Sequence, residues 1–188
     1  MIVYLHGFNS SPQSAKAQYL KRYLEGRGRG AEFACPRLPH RPSLAVAAAE
    51  AEIARARRGS VTLVGSSLGG FYATWLAERH DLRAVLINPA IHAHVGLHAY
   101  LGPQQPYHGG DPYELTEQHL SEWGALFVAE VRPERYLLLV ETGDEVLDYR
   151  LAVRKYVGAQ QVVVQGGDHS LASFPDHIPL ILGFAGMD

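Results

Sequence analysis

Six apolar runs, "IVYL", "AEFAC", "SVTLVG", "LRAVLIN", "RYLLLVE" and "QQVVVQG", recur along the chain with helical patterns between them. A strand that is apolar at consecutive positions has no polar face to give to water, so both of its faces need cover. Such strands, separated by helices, predict a parallel sheet with helices on either side, a three-layer α/β/α sandwich of about six strands. The first helix is expected from about Ser14 to Glu25. An alanine-rich second helix is expected to be capped by Ser43 and to run through about Arg58, with Pro42 blocking an earlier start. "LGGFYATWLAERH" reads as the third. No repeat, low-complexity tract or linker interrupts the pattern, and 188 residues is a length suited to one core, so residues 1–188 are expected to form a single domain.

One connection breaks the rhythm. Residues 89–134 separate the fourth and fifth runs, and a connection of that length in a compact domain is usually functional. Its prolines and aromatics, among them Tyr100, Pro106, Tyr107, Tyr113, Trp123 and Phe127, suit either a cap-like insertion over a pocket or packing over the sheet edge.

Charge narrows the partners. Seventeen Lys and Arg against nineteen Asp and Glu leave no basic excess to neutralise phosphates, so nucleic acid is not an expected partner. The densest basic cluster, Arg55, Arg57 and Arg58, falls at a helix C-terminus, where cations suit the macrodipole. Cys35 is the only cysteine, which excludes an intrachain disulfide and suggests a reducing compartment with the thiol as a small buried filler. No apolar run approaches the roughly 18 residues of a membrane span, and the opening "MIVYLHGF" has no basic n-region or cleavage site. A cytoplasmic protein that uses no membrane is the expectation, and its oligomeric state is not legible.

The third run and third helix meet at "VTLVGSSLGGFYATWLAERH". Gly65, Ser67 and Gly69 spell GxSxG in the strand–turn–helix setting that a nucleophile elbow requires, with glycines where a reversing backbone leaves no room for side chains. The plainer alternative is a serine capping the helix that begins near Leu68. Ser67 is central in the motif, and Ser66 is expected to pack locally. A serine hydroxyl is a weak nucleophile, so it needs a base within hydrogen-bond reach and a carboxylate to orient that base. The fifth run ends in "ETGDEVLD" and the sixth in "QGGDHS", placing Asp144 and His169 past the carboxyl ends of strands, where open α/β sheets bind ligands. Ser67, Asp144, His169 is the nucleophile–acid–base order of an α/β-hydrolase. Glu145 and Asp148 are rival acids that suit helix capping or solvation, and Asp168 suits a turn. The backbone N–H groups of Phe8 and Leu68 are the expected oxyanion donors. His6 is expected to tie the first loop by hydrogen bonds, and Gly7 to supply unusual backbone angles there. Asn9, Ser10 and Ser11 read as turn formers or substrate contacts.

In combination, "YLHGFNSSPQSAKA", "GSSLGGFYATWLAE", "INPA", "PYELT", "RYLLLVETGDEVLDY" and "GGDHS" resemble the small bacterial YqiA-type esterases of the α/β-hydrolase superfamily, over nearly the whole chain. The resemblance implies a Ser67–Asp144–His169 triad that hydrolyses small, short-acyl carboxylic esters through an acyl-enzyme, with no metal or organic cofactor. It also implies a minimal α/β-hydrolase fold that starts at what larger hydrolases count as their third strand, with strand order 2-1-3-4-5-6. The chain departs from the family pattern after "NPA", where a basic residue and proline are expected and "IHAHVGLHAYLG" stands instead. His92, His94 and His98 in that segment have a spacing open to a zinc reading, but no cysteine or acidic motif supports it, and solvated loop histidines are the expectation. Two alternatives remain at this level: an acyl thioesterase using the same machinery, and a catalytically silent binding protein on the same scaffold.

Overall fold

The computed structural model describes residues 1–56 and 60–187. In chain order the strands are β1 (Ile2–Leu5), β2 (Phe33–Ala34), β3 (Thr62–Ser66), β4 (Arg83–Ile87), β5 (Gly102–Gln104), β6 (Tyr113–Leu115), β7 (Tyr136–Glu141) and β8 (Gln160–Val164). The helices are α1 (Ala15–Glu25), α2 (Pro42–Arg55), α3 (Leu68–His80), α4 (Ala93–Gly96), α5 (Glu117–Ala125), α6 (Tyr149–Lys155) and α7 (Phe174–Phe184).

Six of the strands form one parallel sheet in the order β2-β1-β3-β4-β7-β8, while β5 and β6 pair antiparallel as a separate hairpin. Counted within the large sheet alone, this is the expected 2-1-3-4-5-6. Alternation along the strands sends Val3, Leu5, Leu63, Ala84, Leu86, Leu138 and Val140 into a core with α2, α3, α5 and α6. Ile2, Tyr4, Val64, Val85, Ile87, Leu137 and Leu139 enter a second core with α1 and α7. Both faces of the central strands are dry, which is why their sequences are continuously apolar rather than alternating. The register pairs Leu5 with Gly65, Ser66 with Ile87, and Glu141 with Val164. The loops that leave these carboxyl ends therefore emerge along one edge of the sheet.

Four local expectations are corrected. Helix α2 begins at Pro42, with Arg41 rather than Ser43 at its N-cap. Proline has no N–H to leave orphaned, so at the first helical position it starts a helix instead of stopping one. The Ser43 N–H donates to the Glu122 carboxylate of α5 at 3.0 Å, and the Arg41 guanidinium binds the same carboxylate at 3.0 Å, so an acid from another helix serves this N-terminus. The β5–β6 hairpin was not expected, because "GPQ" carries two residues that strands normally avoid. Cys35 is half-buried rather than enclosed, and burial pushes its thiol up to about 12. The segment from 31 to 35 narrows to the two-residue β2, preceded by a short 3-10 turn at Gly30–Glu32. Of the basic cluster, Arg55 pairs with Glu52 one turn earlier at 2.9 Å, and Arg57 and Arg58 lie outside the described residues. No helix among the described residues is long and apolar enough to cross a membrane.

Candidate active site

The turn from β3 into α3 holds Ser67 at φ 55° and ψ −120°, a conformation that L side chains rarely adopt. Strain of this kind costs of order 1–3 kcal/mol and persists only where the surroundings over-determine it. Here the Ser67 N–H donates to the Ile87 carbonyl at 3.0 Å, and its own carbonyl accepts from the N–H groups of Gly70 and Ala90. The flanking glycines are required by proximity. A Cβ on Gly65 would lie 2.3 Å from the Gly69 carbonyl oxygen, and one on Gly69 would lie 1.9 Å from that of Leu5. The helix therefore starts pressed against the sheet, and Ser67 projects from the apex while Ser66 is buried.

Two later loops meet this hydroxyl. The His169 Nε2 lies 3.1 Å from Ser67 Oγ, and its Nδ1 lies 2.8 Å from Asp144 Oδ2. An ionised carboxylate only accepts, so Nδ1 carries the proton and Nε2 is free to accept from the serine. The second carboxylate oxygen of Asp144, Oδ1, takes the N–H groups of Val146 and Leu147, each at 2.8 Å. Burial works to raise the Asp144 carboxyl, but the His169 hydrogen bond, these two amides and the imidazole's charge outweigh it and hold it below the usual carboxylate range. The Asp144 side chain is 1% exposed and that of His169 24%, so the acid is enclosed while the base is open on one side.

The rival acids serve other ends. Glu145 accepts the His169 backbone N–H at 3.0 Å, Asp148 caps α6 through the Arg150 N–H at 3.0 Å, and Asp168 accepts from Ser170 within its own turn. His6 donates from Nδ1 to the Gly7 carbonyl at 3.1 Å and accepts the Leu38 N–H on Nε2 at 3.0 Å, joining the loops after β1 and β2. Burial lowers its basicity, in keeping with a neutral ring that both donates and accepts. Gly7 is corrected in role: the positive φ in that loop belongs to Asn9, at 52°, and Gly7 is small because a Cβ there would sit 3.3 Å from the Ser67 Cβ. Among the described residues the backbone N–H groups of Phe8 and Leu68 donate to no protein acceptor. Asn9 binds Gln104 and Tyr113 at 3.0 and 2.6 Å, so it fastens the first loop to the β5–β6 hairpin. His92 and His94 pack against Phe127, and His98 faces Glu117 at 3.7 Å; among the described residues no group of three or more potential metal ligands is gathered.

A match to the family model described as "Uncharacterised protein family (UPF0227)" spans residues 1–186. The chain belongs to this family. The UPF0227 chain is also similar in shape to solved structures. The mouse alpha/beta hydrolase domain-containing protein 10 aligns over 98% of this chain and 89% of its own at 15% identity, with a TM-score of 0.76. A structure from the metagenome-derived lipolytic enzymes LipS and LipT aligns over 100% and 93% at 17% identity, TM-score 0.70. The esterase domain of a Rhodothermus marinus protein aligns over 99% and 84% at 19% identity, TM-score 0.66. At these identities the likeness establishes the α/β-hydrolase fold.

Sequence reasoning missed the brace behind the His169 loop in this UPF0227 member. Asn88, at φ 39° after β4, donates from Nδ2 to the carbonyls of Asp168 and His169 at 3.1 and 3.2 Å, while its Oδ1 accepts the Glu141 N–H at 3.0 Å. The buried Glu141 carboxylate accepts the Asp168 N–H at 2.8 Å and the Ser173 hydroxyl at 2.7 Å, and Lys16 Nζ reaches the Ser170 carbonyl at 2.5 Å. The available signal was a polar residue ending each apolar run, "VLIN" and "LLLVE". Asn88→Ala removes the partner of the buried Glu141 N–H and of the part-buried carbonyls of Asp168 and His169, and is expected to cost about 1–3 kcal/mol, several degrees of Tm, with a fall in kcat as His169 loses its anchor. Thermal melts beside turnover check this; a variant with unchanged melt and kcat contradicts it.

Proposed function

We propose that this chain is a serine hydrolase of carboxylic esters with small acyl groups, acting through an acyl-enzyme. The observation that carries the reading is the unbroken relay from Asp144 to His169 to Ser67, with links of 2.8 and 3.1 Å, on a strained elbow. Three side chains from distant parts of the sequence meet with the donor and acceptor roles that nucleophilic catalysis needs. The esterase and lipase names among proteins of the same fold agree with ester chemistry.

In the first half-reaction His169 Nε2 takes the Ser67 proton as Oγ attacks the ester carbonyl carbon, and Asp144 stabilises the imidazolium. The unpaired amides of Phe8 and Leu68 meet the developing oxyanion, each contributing about 3 kcal/mol at the transition state. The imidazolium then gives its proton to the leaving alkoxide oxygen as the ester C–O bond breaks. Water, deprotonated by the same nitrogen, attacks the acyl-serine carbonyl; the acyl C–Oγ bond then breaks, the imidazolium returns its proton to Ser67 Oγ, and the acid is released. We read residues 89–134 as part of the same single domain, forming one wall beside the site. Trp123, buried, donates to the Tyr72 hydroxyl of α3 at 2.7 Å, which supports that role.

A fluorophosphonate probe tests the reading and separates it from a silent binding scaffold. It is expected to label Ser67 once per chain, at a rate that falls on acidification. Attack needs a free Nε2 to accept the serine proton, so acid is expected to slow the labelling, while Asp144, held below the usual carboxylate range by its hydrogen bonds, stays ionised further into acid than a free carboxylate. Labelling elsewhere, or at a rate indifferent to acid, contradicts the assignment.

A further inference from the structure

A cavity of about 270 Å³ opens beside the proposed oxyanion amides; its lining includes Gly7, Phe8 and Leu68, the neighbours of Ser67 in space and sequence, but neither Ser67 itself nor His169. This separation gives the cavity a side of the ester. The imidazole must deliver a proton to the leaving oxygen, so the alcohol departs on the His169 side. The group attached to the carbonyl carbon then points the other way, into the cavity.

The walls describe that group. His40 stacks on Tyr113 with centroids 4.2 Å apart and planes 10° apart, Tyr72 and Trp123 close the floor, and Pro39, Pro106 and Pro112 add flat apolar surface. An apolar cavity of about 150 Å³ holds benzene, so this one has room for a ring and a short substituent. One cation lines the wall. Among the described residues, Arg37 makes a single long hydrogen bond, 3.5 Å to the Gly109 carbonyl, and pairs with no acid. Asp111 lines the same cavity and is the one opposing charge in its lining.

We propose that the acyl pocket is selective for a flat, ring-sized acyl group whose far end carries a carboxylate, met by the Arg37 guanidinium. The favoured substrates are then half-esters of small, rigid dicarboxylic acids. This rests on the serine-esterase reading above. Guanidinium suits the task because its fork presents two parallel donors to a carboxylate.

The experiment compares kcat/KM for monomethyl terephthalate with that for its neutral isostere, methyl 4-carbamoylbenzoate, at low ionic strength, in the wild-type chain and in Arg37→Gln. The wild type is expected to favour the anionic ester, and the variant to lower the anionic-to-neutral ratio by about tenfold or more. A ratio cancels any general loss of active protein. The wild-type preference should also shrink as salt is added, because Arg37 is exposed and its field is screened. An equal or reversed wild-type preference, the latter pointing to Asp111, overturns the proposal, as does a ratio untouched by Arg37→Gln. Hydrolysis of 4-nitrophenyl acetate with neither benzoate accepted overturns the pocket assignment alone. Failure to hydrolyse even 4-nitrophenyl acetate, with no fluorophosphonate adduct at Ser67, overturns the esterase reading beneath it.

Discussion

Replacing Ser67 by alanine is expected to lower kcat on 4-nitrophenyl acetate by about 10⁶-fold, the scale found when a triad nucleophile is deleted. The expectation is this large because nothing else at the site stands in for the lost oxygen. Ser66 is buried, and the acids nearest His169 are engaged with backbone amides. Alanine carries the same Cβ as serine and meets the same backbone strain at φ 55°, so the variant keeps the wild-type melting transition and the loss reads as chemistry. Residual catalysis of about 10³–10⁴-fold over water should survive, since the amides of Phe8 and Leu68 remain. Ser66→Ala is the companion variant and is expected to keep most turnover. An active Ser67→Ala beside an inert Ser66→Ala would falsify the assignment of the nucleophile.

Gly69→Ala is expected to prevent folding or to lower stability by at least about 4 kcal/mol, roughly 10 °C of Tm for a chain of this length. Helix propensity alone argues the other way, favouring alanine over glycine by about 1 kcal/mol within α3. Contact decides. The added methyl would stand 1.9 Å from the Leu5 carbonyl oxygen and 2.8 Å from that of His6, both backbone atoms of a central strand and its loop, which cannot step aside singly. Helix α3 would have to lift off the sheet, carrying Ser67 away from His169. Gly124→Ala in α5 is the matched control, because nothing lies within 4 Å of its Cβ position, and it should gain rather than lose stability. Thermal denaturation of the pair measures the difference, and a Gly69→Ala chain that melts with the wild type would show that the elbow is looser than its contacts imply.

The sheet was legible because its central strands are buried on both faces and so advertise themselves as unbroken apolar runs. The elbow was legible because close packing admits only glycine at Gly65 and Gly69, which leaves a motif in the sequence. Asp144 and His169 could be placed past strand ends by topology before any distance was known. Their brace could not. Asn88 and Glu141 act by pointing polar atoms at backbone groups of a loop far along the chain, and no local pattern encodes which carbonyl an amide will find. The same holds for Glu122, whose carboxylate serves the start of α2 across 79 positions of sequence. Pro42 misled because proline both ends helices and opens them, and the choice depends on what precedes it.

Glu122 and its neighbours also change what the long 89–134 connection is to the rest of the molecule. Its Glu122 receives the first turn of α2, its Trp123 plugs the Tyr72 hydroxyl on α3, and its Arg132 clasps Glu78 near the other end of that helix. A segment stitched into two sheet-covering helices at three places is scaffolding as much as decoration. Outer loops of this segment can change without touching these three ties, but the segment cannot be excised without unpicking the layer that holds the elbow down.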